Sequence, residues 1–350
     1  MEQLKKLPGP LLDWYAENKR DLPWRRQVSP YGTWVSEIML QQTRVSAVLP
    51  YFQRFTETCP TVEALAEISP EELMRLWQGL GYYSRARNLQ RAARIIVEEY
   101  GGVFPDTYEK VRALPGIGDY TAGAILSIAM GQDVPAVDGN VLRLVSRITG
   151  CRENVLDDKV RKKIRAMVEE ILPEGQAGLF NQAMMDLGAG ICLPKGEPLC
   201  GQCPAREFCI TKAESLQSVL PVREKSGERR SEKRTVFVLR RGDEVALCRR
   251  AEKGLLAGLW EYPNVEGELS EQAAAEQLEA WHIIPHLWDK KIVTTHTFTH
   301  IRWEMTGYII QVMGNGKSEW TWADRETRGK KAIPSAFARF TEEIDGGERE

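Results

Sequence analysis

Four cysteines lie close together in the second half of the chain, with the spacing Cys192-x7-Cys200-x2-Cys203-x5-Cys209. Four thiolates near one another can bind either a zinc ion or a 4Fe–4S cube. Free structural cysteines are a third interpretation of such a group. A disulfide framework is not expected, because the N-terminal residues lack the apolar core of a signal peptide and cytoplasmic proteins rarely keep disulfides. The group therefore predicts a metal site.

Two carboxyl residues have surroundings that suit acid–base chemistry. Asp138 follows an apolar segment and precedes a helical pattern, so a helix N-cap is its alternative role. Glu37 lies on a helical pattern beside Trp34 and Ile38, whose apolar side chains would raise its pKa. A solvent-facing polar stripe is the alternative for Glu37. Cleavage of an N-glycosidic bond needs a carboxylic acid to protonate the leaving base and a carboxylate to face the cationic sugar.

A Pro-Gly-Ile-Gly sequence at residues 115–118 separates two helical patterns. Gly116 and Gly118 tolerate positive φ and allow another backbone to come close. The next helix, from Tyr120, begins with free main-chain N–H groups, which can hold one DNA phosphate together with the positive end of the helix. This is the helix-hairpin-helix pattern, and an ordinary tight turn between two helices is the alternative.

The elements that must position these residues follow from the apolar periodicity. Helical spacing predicts helices over residues 34–44, 70–78, 84–100, 120–130, 140–149, 157–171 and 177–189. Strands are predicted over residues 235–240, 244–249, 292–297 and 303–312, with one helix over 272–281. The highly charged stretch 223–234 is interpreted as exposed. We therefore expect a helical domain over residues 1–214, a linker over 215–233 and an α+β domain over 234–350.

Charge and hydropathy limit the class of protein. The net charge of −2 excludes a nonspecific polybasic DNA coat. The net charge does not exclude a local basic face. Such a face, or alternatively a solvated helix surface, is formed by Arg85, Arg87, Arg91 and Arg94. Apolar runs stay below the roughly 18 residues that span a bilayer. The expected protein is soluble, globular and cytoplasmic, without membrane contact.

Together these patterns resemble the helix-hairpin-helix glycosylase superfamily with an iron–sulfur loop, and within it the MutY family of adenine DNA glycosylases. Six segments carry the resemblance: residues 34–45 (WVSEIMLQQTRV), 79–89 (GLGYYSRARNL), 114–121 (LPGIGDYT), 136–143 (AVDGNVLR), 180–192 (FNQAMMDLGAGIC) and 254–263 (GLLAGLWEYP). The resemblance covers nearly the whole chain. It implies a multidomain fold, in which an all-α helix-hairpin-helix glycosylase domain with a 4Fe–4S loop precedes an α+β Nudix-like domain.

The resemblance also implies a role for each matching residue. Glu37 would protonate adenine N7 and then activate the water, and Asp138 would stabilise the oxocarbenium ion or bond transiently to C1′. Tyr120 and Asn140 would orient the Asp138 carboxylate and the water. The adenine pocket would consist of Leu22, Trp24, Arg25 and Gln182, and the wedge beside the partner base of Gln42 and Tyr82. One phosphate would be bound by the amides of Gly116, Gly118 and Tyr120. The cluster ligands would be Cys192, Cys200, Cys203 and Cys209.

The α+β domain would recognise 8-oxoguanine opposite the adenine. Phe298-Thr299-His300 matches the family's Phe-Ser-His loop, and Thr299 keeps the hydroxyl while adding a methyl group. The Nudix motif Arg-Glu-x-x-Glu-Glu does not occur between residues 254 and 288, so nucleotide hydrolysis is not expected. The sequence also departs from the family pattern in the spacer between Cys192 and Cys200, which has seven residues where six is commoner. The implied partner is double-stranded DNA with adenine opposite 8-oxoguanine or guanine, bound by a monomer at the bacterial nucleoid.

Two other functions compete with that of an adenine glycosylase in base excision repair. An endonuclease III-like enzyme would share the fold and cluster but would need a lysine that forms a Schiff base. Tyr120 occupies that position and cannot form an imine. A catalytically silent DNA-binding protein would lack one of the two carboxylates, and both Glu37 and Asp138 are present. We therefore expect a monofunctional glycosylase.

Overall fold

The computed structural model describes residues 1–224, 230–298 and 300–346. The chain divides into two compact units, namely Met1–Ile68 with Arg87–Ser226 and Ser69–Ala86 with Gly227–Glu350. An internal segment of the helical region, Ser69–Ala86, therefore belongs with the C-terminal residues. None of the helices within the described ranges has the length and apolar composition that a bilayer crossing requires.

The first 224 residues are helical, as the apolar spacing predicts. In chain order the helices are α1 (Glu2–Lys5), α2 (Pro8–Asn18), α3 (Pro23–Arg26), α4 (Pro30–Leu40), α5 (Val45–Thr58), α6 (Val62–Glu67), α7 (Pro70–Trp77), α8 (Ser84–Tyr100), α9 (Tyr108–Ala113), α10 (Asp119–Ala124), α11 (Gly139–Thr149), α12 (Asp158–Glu169), α13 (Ala177–Gly190) and α14 (Ile210–Ala213). A π-helical turn over Ile125–Ala129 continues α10, and a 3-10 turn over Cys200–Gln202 lies in the cysteine loop.

The core of the first unit is built from apolar residues of α1, α2, α11, α12 and α13. Helix α12 shows the amphipathic pattern, because Val160, Ile164 and Val168 recur every four residues and are buried. Helix α11 is buried along most of its length, from Val141 to Ile148. The start of α11, where Asp138 lies, is therefore fixed by packing.

The helix that carries Glu37 begins and ends earlier than predicted. Ser29 caps α4 by accepting a hydrogen bond from the amide of Gly32 at 3.0 Å, and a proline follows at the first helical position. The helix ends at Leu40, and Gln42 adopts a left-handed conformation with φ 60°. The interpretation of Glu37 as part of a solvent-facing stripe is wrong, because its residue exposure is 6%.

Several predicted boundaries agree with the structure and others shift. Predicted helix 84–100 and strand 244–249 have the observed bounds. The predicted helix 120–130 changes from α-helical to π-helical at Ile125. The first strand of the second unit begins at Arg230, inside the stretch interpreted as linker, because its pairing with a parallel neighbour extends to that residue.

The second unit contains a mixed sheet with helices. Its strands and helices are β1 (Arg230–Arg241), β2 (Glu244–Arg249), β3 (Trp260–Glu261), β4 (Asn264–Glu266), α15 (Glu271–Ala280), β5 (Ile284–Thr297), β6 (Ile301–Met313), β7 (Thr321–Ala323), α16 (Arg325–Gly329), a 3-10 turn (Ser335–Phe337) and α17 (Ala338–Gly346). The strand order is β3-β2-β1-β6-β5, with β4 beside β1 and β7 beside β2; β1 and β6 are parallel and the other pairs are antiparallel.

Alternating side chains of the long strands supply two separate cores in this unit. Val236 and Val238 of β1 pack with residues near the C-terminus, including Phe337 and Phe340. Phe237 of β1 points the other way and packs with residues of α15. The predicted fold class, a helical domain followed by an α+β domain, is confirmed.

Candidate active site

A cavity of about 1000 Å³ opens in the first unit and gathers nine of the predicted site residues. They come from five places in the sequence that helix packing brings together. The nine are Leu22, Trp24, Arg25, Glu37, Gln42, Tyr120, Asp138, Asn140 and Gln182. Both candidate carboxylates therefore line the same cavity.

Glu37 occupies the buried side of this cavity, near the end of α4. The hydroxyl of Tyr120 donates a hydrogen bond to its Oε2. The pKa of Glu37 is raised to about 7: burial raises it most, the hydrogen bond from Tyr120 opposes the rise, the nearby charge of Asp138 adds to it, and Arg25 opposes it. A carboxyl group with that pKa is substantially protonated at neutral pH and can act as an acid.

Asp138 is the N-cap of α11, which confirms that part of the sequence interpretation. Its Oδ1 accepts hydrogen bonds from the amides of Asn140 and Val141, both at 2.8 Å. Its Oδ2 accepts one from Nδ2 of Asn140, also at 2.8 Å. Burial raises the pKa of Asp138, and the three donors oppose that rise by stabilising the carboxylate. The cap thus fixes the orientation of the Asp138 side chain, and its hydrogen bonds favour the ionised form of the carboxyl group against the effect of burial.

The resemblance implies that Tyr120 orients Asp138, but in the structure Tyr120 contacts Glu37. Its hydroxyl donates to Glu37 and lies 3.6 Å from Sδ of Met185, whereas Asn140 is the residue that holds Asp138. Sequence reasoning also missed Gly123 of α10, where a Cβ would collide with the carbonyl oxygen of Pro135. This glycine allows the segment leading to Asp138 to lie directly against the helix of Tyr120.

Two arginines that line the cavity, Arg20 and Arg25, share the buried carboxylate of Asp186. Both guanidinium nitrogens of Arg25 contact the Asp186 carboxylate, at 2.7 and 2.9 Å, and Nε of Arg20 contacts it at 2.9 Å. Burial alone would raise the pKa of Asp186, but the two arginines outweigh it and lower the pKa. Sequence reasoning missed Asp186. Its signal is that Asp186 is the single charged residue of helix α13, since a buried charge needs a partner.

The predicted hairpin is present between α9 and α10. Gly116 has φ 80°, and a Cβ there would lie 2.8 Å from Cβ of Asn88, so glycine is needed at this turn. Gly118 caps α10 with φ −96°, so the expectation of positive φ does not hold for it. Tyr120 is the second residue of α10, so its amide is one of those in the first turn that lack a partner within the helix, and its side chain lines the cavity.

The four predicted ligand cysteines line one small cavity of the first unit. Nη1 of Arg147 lies 3.4 Å from Sγ of Cys192 and can stabilise a thiolate there. The pKa of Cys203 is raised to about 12: burial raises it most, a backbone hydrogen bond from Ala205 opposes the rise, and the nearby thiols of Cys192, Cys209 and Cys200 add to it. The donor set is thus four convergent thiols, which suits a cluster of soft metal ions.

The four thiols are the candidate metal ligands of the first unit. Among the described residues, no group of three or more His, Cys, Asp or Glu side chains has the arrangement that holds one metal ion. Zinc–sulfur bonds are only about 2.3 Å long, so zinc would need the thiols drawn tightly together. An iron–sulfur cube takes the same number of thiolates as ligands.

Arg143, which sequence reasoning also missed, joins the cysteine loop to the Asp138 network. Its guanidinium is buried and donates to the carbonyl oxygen of Cys192 at 2.7 Å, to that of Gly188 at 2.6 Å and to Oδ1 of Asn140 at 2.9 Å. Asn140 in turn holds Asp138. The loop therefore positions a residue of the active site through one side chain.

The predicted 8-oxoguanine loop connects β5 to β6. Phe298 donates its amide to the carbonyl oxygen of Ile301 at 2.8 Å, and its ring lies 4.9 Å from that of Trp303. His300 is exposed, and Thr299 lies outside the described residues. The remaining predicted residue, Tyr82, belongs to the second unit. It is 45% exposed, and its backbone has a φ of 49°.

Comparisons with known proteins agree with this architecture. The family model for the HhH-GPD superfamily base excision DNA repair protein matches residues 35–170, and the NUDIX domain model matches residues 235–343. A thermostable thymine-DNA glycosylase of known structure matches with a TM-score of 0.56 and 27% identity, over 61% of this chain and 98% of that chain. The helical part thus has a DNA glycosylase fold.

Two curated relatives extend over most of both chains. The adenine DNA glycosylase of Homo sapiens is 36% identical over 371 residues, which cover 87% of this chain and 67% of the human protein. The adenine DNA glycosylase of Buchnera aphidicola subsp. Schizaphis graminum (strain Sg) is 32% identical over 95% of this chain and 96% of its own. The chain therefore belongs to the adenine DNA glycosylase family, the DNA N-glycosylases that act on adenine in base excision repair.

Proposed function

We propose that this chain hydrolyses the N-glycosidic bond of adenine paired with 8-oxoguanine or guanine in duplex DNA. The observation that carries the proposal is the pair of carboxylates in one cavity with different environments. Glu37 is buried with a pKa of about 7, and Asp138 is held by three hydrogen-bond donors at a helix N-terminus. Pairs of carboxyl groups with such separate environments divide the roles of acid and anion.

Glu37 supplies the proton. Adenine leaves poorly as an anion, so protonation of N7 lowers the barrier to bond cleavage. Once it has lost that proton, Glu37 is a carboxylate that can accept a proton from the attacking water. Its hydrogen bond from Tyr120 orients the carboxyl group for both steps.

Asp138 faces the positive charge that develops on the sugar. The amides of Asn140 and Val141 and the positive end of α11 favour its ionised form. In that form it stabilises an oxocarbenium ion, or it bonds transiently to C1′ before water completes the hydrolysis. Asn140 fixes the orientation of the carboxylate.

The reaction stops at base removal. Strand cleavage through a Schiff base needs an amine nucleophile. The described residues that line the cavity include no lysine, and the resemblance assigns Tyr120 to the position of the lyase lysine. The enzyme is therefore monofunctional.

The adenine must leave the helix to reach this cavity, at a cost of about a few kcal/mol that is lowest at a mispair. Leu22, Trp24, Arg25 and Gln182 receive the base, and the Arg25–Asp186 pair holds that wall rigid. Gln42 and Tyr82 fill the space in the DNA beside the partner base. The left-handed backbone of both residues supports this role, because strained residues concentrate at functional sites.

The rest of the DNA is held by the hairpin and read by the second unit. The amides of Gly116, Gly118 and Tyr120 bind one phosphate. Phe298, Thr299 and His300 contact 8-oxoguanine. The protein acts as a monomer at the nucleoid, since a single chain supplies all the residues named for the reaction.

We further propose that Cys192, Cys200, Cys203 and Cys209 hold a 4Fe–4S cluster. When bound, the cluster fixes the loop that carries its ligands, and Arg143 relates this loop to Asn140. Anaerobically purified protein is expected to be brown and to contain about four irons per chain. Stoichiometric zinc without iron would contradict the cluster.

The decisive test of the substrate compares single-turnover adenine release from duplexes with adenine opposite 8-oxoguanine, guanine or thymine. We expect fast release opposite 8-oxoguanine, slower release opposite guanine and little opposite thymine, with the abasic strand left intact. Equal rates on the three duplexes would contradict recognition of the partner base. Strand cleavage in step with base release would contradict the monofunctional mechanism.

A further inference from the structure

The segment Ser69–Ala86, which we call the wedge segment, is attached to the C-terminal residues by side-chain contacts. Nε2 of Gln78 donates to the carbonyl oxygen of Ile333 at 3.1 Å. Nζ of Lys331 pairs with Glu71 at 2.9 Å and lies 4.4 Å above the ring of Trp260. The Lys331 side chain is 18% exposed and the Glu71 side chain 55% exposed, so the pair is shielded from solvent on the lysine side only. The wedge segment is thus bound at two points.

The end of the wedge segment holds Tyr82 in a strained loop. Gly79, Gly81 and Tyr82 all have positive φ, of 101°, 71° and 49°. A residue with a side chain rarely adopts the left-handed conformation, so the surroundings must hold Tyr82 there. Nη2 of Arg85 donates to the carbonyl oxygens of Leu80 and Gly81, at 3.1 and 3.2 Å, and its guanidinium lies 5.5 Å from the Tyr82 ring.

A continuous core lies between the anchor of the wedge segment and the loop of Phe298. The Phe298 ring lies 4.9 Å from that of Trp303, which lies 6.1 Å from that of Phe337. Ile333, whose carbonyl oxygen accepts from Gln78, belongs to the same buried cluster, against which Phe298 packs. Packed cores transmit displacement because they are dense and scarcely compressible.

We propose that the second unit positions Tyr82 through Gln78 and the Glu71–Lys331 pair, so that contact with the partner base at the Phe298 loop and insertion of Tyr82 occur as one event. Gln78, Glu71 and Lys331 are positioning residues in this arrangement. The inference rests on the proposed function, because it takes Tyr82 as the wedge and the Phe298 loop as the reader of the partner base. It adds that Tyr82 moves together with the Phe298 loop.

The test uses an uncoupled variant, Glu71→Gln with Gln78→Met, in the full-length protein with its metal bound. The matched control is Glu72→Gln, which removes a neighbouring charge from the same first turn of α7 but not the pair with Lys331. The measured quantity is the ratio of single-turnover rates on adenine opposite 8-oxoguanine and opposite guanine. We expect the ratio to fall about fivefold in the uncoupled variant and to stay unchanged in the control.

Two further measurements separate coupling from loss of structure. Amide hydrogen exchange in residues 69–86 should be faster in the uncoupled variant, and 8-oxoguanine DNA should slow it less than in the wild type. Adding Thr299→Ala to the uncoupled variant should lower the ratio no more than Thr299→Ala does alone, because both changes interrupt one path. A merely structural role would instead lower both rates equally and give additive effects.

The outcomes are distinct. A ratio that stays at the wild-type value while exchange in residues 69–86 becomes faster overturns the coupling and leaves the proposed function standing. Equal loss of both rates, or additive effects with Thr299→Ala, also overturns it. A wild-type protein without preference for 8-oxoguanine overturns the proposed function, and the coupling with it.

Discussion

Removal of the Tyr120 hydroxyl should shift the pH dependence of base release in a defined direction. The hydroxyl donates to Glu37 and opposes the rise in its pKa that burial causes, and with both effects present the pKa is about 7. In Tyr120→Phe that opposition is lost, so the pKa of Glu37 rises. Because the acid must be protonated to act, the rate falls as pH rises through this pKa. The alkaline limb of the profile should therefore move upward.

The size of the shift follows from the strength of the bond. A hydrogen bond to a charged group contributes about 1.5–3 kcal/mol, and about 1.4 kcal/mol corresponds to one pKa unit. The hydroxyl also bonds, more weakly, to the neutral acid, so the difference between the two forms is smaller. We expect the midpoint to move from about 7 to about 8.

The assay is single-turnover adenine release between about pH 5 and pH 9, under conditions where DNA binding is saturated. Tyr31→Phe is the matched control, because Tyr31 lies on the same helix as Glu37, α4, and its hydroxyl donates to the carbonyl oxygen of Cys59 instead. The control should keep the wild-type midpoint. An alkaline limb that stays in place or moves downward in Tyr120→Phe would refute the reasoning. A shift confined to the acid limb would mean that Tyr120 acts on Asp138 instead.

Three further predictions concern stability and recognition. Glu37→Gln should be more stable than the wild type at pH 8 by roughly 3 kcal/mol and equally stable below pH 4.5. The reason is that folding raises the pKa of Glu37 from 4.5 to about 7, so the wild type loses stability as the pH rises to that value. Urea unfolding at both pH values measures the difference, and equal curves at pH 8 would contradict it. Asp186→Asn should cost about 3–5 kcal/mol, because it leaves the largely buried Arg25 without its carboxylate; urea unfolding within about 1 kcal/mol of the wild type would count against it. Thr299→Ala should lower the preference for 8-oxoguanine over guanine more than it slows adenine excision, and an unchanged ratio of rates on the two mispairs would reject this role for the hydroxyl.

The local features of the site could be predicted from the sequence. The apolar neighbours of Glu37 indicated its raised pKa, and the position of Asp138 before a helical pattern indicated its N-cap. Such features depend on residues a few positions away, where helix periodicity and capping preferences apply. The bounds of α8 and β2 were predictable for the same reason.

Features that depend on distant residues could not be predicted in this way. The Arg25–Asp186 pair joins residues 161 positions apart, and Gln78 contacts Ile333 across 255. Helix α4 ends at Leu40 although residues 41–44 continue the helical pattern. Periodicity reports which face is apolar but does not identify what packs against it, so tertiary contacts override it at such points.

The most direct test of the central claim is adenine release by Glu37→Gln and by Asp138→Asn, measured beside their affinity for a duplex with adenine opposite 8-oxoguanine. Neither amide can supply the missing group, a proton donor in the first case and a negative charge in the second. We expect single-turnover release to be lost in both variants while duplex affinity stays equal to the wild type or increases, since each change removes a negative charge near a polyanion. Near-normal release by either variant, with duplex affinity retained, would contradict the role assigned to that carboxylate.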